Sequence, residues 1–197
     1  MRRILHLSIA TAARLWCLCG DECASQIAEF AVSLPLLVLF VVGIFDFSGA
    51  ITLKQKLTNA AREGARVAAA DPANDLSNSG SAALPVSVSD AFYVVDNYLL
   101  SEKINDCGLA SQIPSSSGNL TWSSTATGCP GGAASGLVLT INRGCVTPDP
   151  LGGYVVNTCV TIRYPYAWQF GGVSGLFGGR FTGPSGITTA AVAFNEN

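Results

Sequence analysis

The sequence predicts an α+β protein: a long N-terminal helix that crosses a membrane, followed by a small globular domain in which a helix packs on an antiparallel sheet. Three observations predict it. Phe30 to Phe45 is an apolar run without a charge, helical periodicity continues from Lys54 to Asp71, and short β-prone runs punctuated by Gly, Ser, Thr and Pro fill the second half. Composition agrees, since 49% of the 197 residues are hydrophobic and only 12% are charged. Soluble domains carry roughly twice that share of charge, about 25%.

The run FAVSLPLLVLFVVGIF holds 16 residues, and counting past Asp46 to Leu53 gives a mostly apolar stretch of 24. At about 1.5 Å per residue the longer count makes roughly 36 Å of helix, enough to cross a hydrocarbon core of about 30 Å. Pro35 lies inside it, where the missing N–H and the ring predict a kink of the kind membrane helices tolerate. Glu29 and Asp46 bracket the apolar core. A carboxylate at the edge of hydrocarbon is costly unless it reaches water, a cation or a role, so Asp46 is expected at an interface.

After the span, Leu53, Leu57, Ala60, Ala61, Gly64 and Ala68 recur at three- and four-residue steps. Asp71-Pro72 stops the helix, because the residue before proline avoids the helical region. One continuous helix from about Gln26 to Ala70 would have 45 residues, roughly 68 Å. Its small residues allow close approach of a neighbour, either this chain's own domain or other helices, while Arg62, Glu63 and Arg66 are expected on a solvated face. Residues 72–86 read as a polar linker. Ser89-Asp90 can cap a second helix reaching about Lys103, with Ala91, Val94, Val95, Tyr98 and Leu99 on one face. The expected strands are 119–123, 137–142, 154–164 and 187–194.

Several function classes drop out. A net charge of -2 lacks the clustered basic excess that phosphate neutralisation needs, so no nucleic-acid partner is expected. The only histidine is His6, which removes His-based acid–base chemistry, a Ser/His/Asp triad and a His-rich zinc site from the second half of the chain. With no convergent acid pair, nucleophile motif or phosphate-cradling glycine pattern, neither an enzyme nor a cofactor nor a small-molecule substrate is expected.

Around Glu29 the residues carry more information. Asp21-Glu22-Cys23-Ala24-Ser25-Gln26-Ile27-Ala28-Glu29-Phe30 opens the apolar run with a short charged leader and then Glu-Phe. It resembles the processing site of type IV prepilins and, more specifically, the TadE-like pseudopilins of tight-adherence (Flp-type) pili. Leu34-Pro35-Leu36-Leu37, Gly43-Ile44-Phe45-Asp46-Phe47 and Leu57 to Arg66 (LTNAAREGAR) are similar to that family's N-terminal region in order and spacing. Val160 to Pro165 (VTIRYP), a Gly-rich loop and Ile187 to Ala193 (ITTAAVA) are a looser likeness to its closing strands. The resemblance implies a cut by a prepilin peptidase between Ala24 and Ser25, with Ala24 standing where the family usually has Gly. It also implies that Glu29, beside Phe30, pairs with the new Ser25 amine of a neighbouring subunit as helices bundle. On that reading residues 1–24 are a leader, 25–71 a long helix with its span at about 30–53, and 72–197 an exported head.

The leader would take Cys17, Cys19 and Cys23 with it, leaving Cys107, Cys129, Cys145 and Cys159 of the seven cysteines. Four cysteines in an exported domain read as two disulfides with three possible connectivities. The sequence-local pairing, Cys107 with Cys129 and Cys145 with Cys159, is the expected one. A four-thiolate metal site competes poorly, because the spacings of 22, 16 and 14 contain no CxxC knuckle. An ordinary secretory signal is interrupted by Arg14, and no N-terminal cysteine follows a Leu-small-small triplet. Arg2, Arg3 and Arg14 on one side balance Lys54, Lys56, Arg62 and Arg66 on the other, so the cysteines set the expected orientation. The N-terminus is expected in the cytoplasm and the C-terminal domain on the outer side of a bacterial inner membrane. The expected partners are the peptidase, other pilins or pseudopilins, the pilus assembly machinery and membrane lipid. The alternative is a bitopic envelope protein that keeps residues 1–24 as a signal anchor and whose exported disulfide-bonded domain binds another protein.

Overall fold

The computed structural model describes residues 2–78, 84–129, 136–150, 152–168 and 183–195, with side chains from Ser25 onward. A long helix, α1 (Arg2–Ala70), is followed by a 3-10 turn (Ala73–Asn78), a second helix α2 (Val86–Ser101), a short 3-10 turn (Leu109–Ser111) and five strands. These are β1 (Ser115–Gly118), β2 (Thr121–Ala126), β3 (Leu137–Pro148), β4 (Tyr154–Pro165) and β5 (Gly186–Phe194), forming one antiparallel sheet in the order β1-β2-β3-β4-β5. The helix-on-sheet architecture is the expected one. The chain divides into two compact units that part after Asp46.

In the first unit α1 already begins at Arg2, well before the expected Gln26, and contains Pro35 without ending there. From Ser25 its side chains are largely exposed, among them Phe30, Val32, Leu36, Leu37, Phe40, Ile44 and Phe45. Apolar side chains turned outward all round a helix are what a hydrocarbon solvent requires and what water penalises. The stretch Ser25–Ala70 has an apolar window with a mean hydropathy of 2.4, none of it buried by protein.

In the second unit the remaining part of α1 is amphipathic. Leu57, Ala60, Ala61, Ala65 and Ala68 are buried, while Arg62 and Arg66 are exposed and Arg66 donates to Glu63 at 2.7 Å. That stripe and one face of α2 cover one face of the sheet, where Trp122, Leu137, Leu139, Ile141, Val160, Ile162 and Ala191 complete the core. Gly64 marks the closest approach. A Cβ there would stand 2.6 Å from Val95 Cγ2 of α2 and 3.9 Å from Val160 Cγ1 of β4. The small-residue stripe therefore packs on this chain's own domain. Thr58 and Thr189 share a 2.7 Å hydroxyl contact that ties α1 to β5.

Differences from the expected elements have local causes. Helix α2 starts at Val86 rather than Ser89, because Pro85 occupies the N-cap and Ser89 Oγ donates back to the Val86 carbonyl instead of capping. The missing cap is supplied from the 3-10 turn in the supposed linker: Ser87 N–H donates to Asp75 Oδ2 at 2.9 Å. The inward face of α2 is Val88, Ala91, Phe92, Val95 and Leu99, with Val94 and Tyr98 at its margin. Asn119 and Leu120 form the hairpin turn between β1 and β2, both with positive φ (50° and 55°), and not the start of a strand. Strand β3 runs six residues past the expected Asn142 through a bulge, stabilised by a 2.8 Å bond from Gly144 N–H to Asn142 Oδ1.

Candidate functional site

Ser25 and Glu29 lie one turn apart on α1, on the same face as Ala28, Val32, Ser33 and Leu36, and together these six line a shallow depression. Of these six only Glu29 is ionisable, and it is the one carboxylate on the stretch of exposed apolar helix between Ser25 and Phe45. Phe30 beside it is 64% exposed. Ser33 Oγ is engaged within the helix, donating to the Phe30 carbonyl at 3.2 Å. Ala24 belongs to α1 by its backbone, but its side chain and those of Cys17, Cys19 and Cys23 lie outside the described side chains. Asp46, expected at an interface, is buried in the structure at 6% exposure, unlike Glu29.

The four remaining cysteines lie in the head, away from Glu29 in the chain. Cys107 is bonded to Cys129 (Cα–Cα 4.3 Å) and Cys145 to Cys159 across β3 and β4 (Cα–Cα 6.0 Å). The first links the turn after α2 to the segment leaving β2. Gly128 N–H donates to the Cys107 carbonyl at 2.9 Å, and any Cβ on Gly128 would stand 2.6 Å from that oxygen. Each bridge removes loop entropy from the unfolded chain, typically worth about 2–4 kcal/mol.

A buried polar cluster joins the C-terminal end of α1 to the sheet. Arg143 on β3 is 1% exposed; its Nη1 donates to Thr158 Oγ1 at 3.2 Å and its Nη2 to the Asp71 carbonyl at 3.1 Å. Burial lowers the Arg143 pKa, opposed by the carboxylates of Asp75 and Asp71. Asp71 is raised, first by desolvation and then by Asp90, with Arg143 pulling the other way. Lys56 makes the second tether, bonding the Glu102 carboxylate at 3.1 Å and the Glu102 carbonyl at 3.2 Å at the end of α2, where the helix dipole favours a cation. Residue-by-residue reading did not single out Arg143. The signal was there, because Leu137, Leu139, Ile141 and Arg143 share the inward phase of a strand.

The head also carries a groove of about 480 Å³ between α2 and the segment before β1, lined by Leu84, Phe92, Tyr93, Leu109, Ile113 and Asp96 among others. Asp96 is 8% exposed and its Oδ1 has no hydrogen-bond partner. Desolvation raises its pKa, reinforced by the charge of Asp106 and a hydrogen bond with it.

Residues 24–66 match the family described as TadE-like protein. The match opens at Ala24, spans Glu29 and the apolar run, and closes at Arg66 on the head-packing part of α1. No curated protein and no solved structure is similar enough to the chain to match it.

Proposed function

We propose that this chain, TadE-like over residues 24–66, is a membrane-anchored pseudopilin that acts in assembly of a Flp-type pilus for adhesion and is matured by a prepilin peptidase. The observation that carries the reading is the coincidence of that match with an exposed apolar helix whose one acid between Ser25 and Phe45, Glu29, lies one turn after Ser25. Cleavage between Ala24 and Ser25 would create an ammonium at the start of the shortened helix, where the unsatisfied N–H groups add positive character. In lipid an unpaired carboxylate is costly, and a fixed ammonium on a neighbouring helix relieves it only at one axial register. Pairing of Glu29 with the Ser25 amine of the next subunit thus rewards assembly and sets register. The head stays outside the membrane on the disulfide-bonded side, and the chain takes part in assembly without a catalytic step of its own.

Two measurements test the reading. The mature protein from cells is expected to begin at Ser25 by N-terminal sequencing or intact mass, and Ala24→Trp is expected to leave the full-length chain. Mature-size protein from Ala24→Trp, or a full-length wild-type chain, sinks the processing step in favour of the uncleaved anchor. Glu29→Gln is expected to be processed yet to abolish piliation and surface attachment; normal pili in that variant refute the pairing role.

A further inference from the structure

The end of the apolar run carries an aromatic and cationic cluster that the assembly reading leaves unused. Phe47 follows Asp46 in α1, and Trp168, on the segment leaving β4, packs on it with ring centroids 5.4 Å apart at 60°. Tyr166 meets Trp168 edge-on at 4.9 Å and 76°. The indole is fixed, since Trp168 Nε1 donates to the Pro184 carbonyl at 2.8 Å, and Gly49 makes room for Tyr166, whose hydroxyl would stand 3.3 Å from a Cβ there. Phe47 nevertheless keeps 52% and Ile51 57% of its surface exposed. Phe47, Ile51 and Lys54 follow at i, i+4 and i+7 along α1 and line one open cavity of about 280 Å³ with Trp168, Pro184 and Ile187. Lys54 is exposed, and its ammonium has no ion-pair or hydrogen-bond partner among the described residues.

We infer that this cluster is a phospholipid interface site, with the three rings at the boundary between acyl chains and headgroups and the Lys54 ammonium on a lipid phosphate. The inference rests on the membrane-anchored reading of α1. Asp46 and Ala50 are buried by protein and not open to lipid, so the span is placed to end at Phe45, short of the expected Leu53. Counting back, about 20 residues of helix cover a hydrocarbon core of about 30 Å, so it runs from about Gln26 and Phe47 comes just past its end. Trp and Tyr concentrate at that level because their rings are apolar and their N–H and O–H groups need a polar partner. Lys54 comes eight residues, roughly 12 Å, after Asp46. Helical Cα–Cβ bonds tilt towards the N-terminus, so its long stem reaches back towards the bilayer and delivers the ammonium to the phosphate layer. In water the same surface would leave Phe47 and Ile51 hydrated beside an unneutralised cation. A bilayer surface satisfies the apolar rings and the charge together, and it is continuous with the span.

The test uses the full chain carrying Trp16→Phe, reconstituted in phosphatidylglycerol/phosphatidylcholine vesicles. Trp122, 3% exposed in the core, is then a silent second indole, and Trp168→Phe gives the blank. Lipids spin-labelled near the headgroup are expected to quench Trp168 several-fold more than lipids labelled at the chain terminus, with little quenching by aqueous acrylamide. Lys54→Glu is expected to halve the shallow quenching in anionic vesicles. Strong acrylamide quenching with no lipid quenching overturns the site, and shallow quenching unchanged by Lys54→Glu overturns the phosphate contact. A Phe40→Trp control separates the two readings: it is quenched by the deep label if α1 spans the bilayer, and its failure to be quenched refutes the membrane reading itself.

Discussion

Replacing Arg143 with Met is expected to loosen the head where α1 meets the sheet. Methionine keeps much of the stem volume but removes the bonds to Thr158 Oγ1 and to the Asp71 carbonyl. Hydrogen bonds from a charged donor are worth about 1.5–3 kcal/mol each. The substitution also strips Asp71 and Asp75 of the nearby cation that each faces, while Asp71 Oδ2 and Asp75 Oδ1 are buried without a hydrogen-bond partner. Two effects act the other way: the guanidinium no longer has to be desolvated, and its unpartnered Nε disappears. Two such bonds lost, set against these two gains, leave an expected net loss of about 3 kcal/mol. For a head of this size that lowers Tm by roughly 10 °C. Near-UV circular dichroism of the detergent-solubilised, disulfide-intact chain measures it. Acidity supplies a second readout. The folded Asp71 pKa is already raised, and Arg143 is what holds it down, so its removal raises it further. A raised carboxyl stabilises the fold below its unfolded pKa, and that contribution is lost as pH rises through the folded value. The Arg143→Met deficit should therefore shrink as pH falls towards 4. A variant melting within about 2 °C of the parent, with the same pH dependence, refutes the reasoning.

Gly64→Ala separates helix propensity from packing: an isolated helix would gain about 1 kcal/mol, but Val95 Cγ2 stands 2.6 Å from the added Cβ. Val95 is fully buried and β-branched, so overpacking of about 1–3 kcal/mol should dominate and the melt should fall; a stabilised variant contradicts the α1–α2 contact. Asp96, raised first by desolvation and then by Asp106, contributes stability at low pH that is lost as pH rises through its folded pKa. Asp96→Asn should therefore stabilise the head at pH 7 and flatten its stability profile between pH 4 and 7, and thermal melts across that window would expose an unchanged profile.

Legibility in the sequence followed the reach of the interactions. The apolar span was readable as an unbroken uncharged run, the small-residue stripe because it repeats with the period of its helix, and the first half of β3 with β4 and β5 because of their β-branched residues and alternation. Strand β1 was not, because Ser115-Ser116-Ser117-Gly118 has no strand propensity and forms only through pairing with β2. The α2 start was misplaced for a similar reason: its N-terminal N–H is met by Asp75, a partner twelve residues away that local rules do not see. At the candidate site the same division holds. Ser25, Glu29 and Phe30 are neighbours in one helix, so spacing alone brings Ser25 and Glu29 to one face. Phe47, Tyr166 and Trp168 come together only when β4 has been folded back along α1, which no local pattern announces. Arg143 is the intermediate case. Its inward phase in β3 was visible, but a charge in that phase reads as an interruption until Asp71 and Asp75 are known to arrive opposite it. The residues that tether the head to its anchoring helix are thus long-range, whereas those proposed to join one subunit to the next are local.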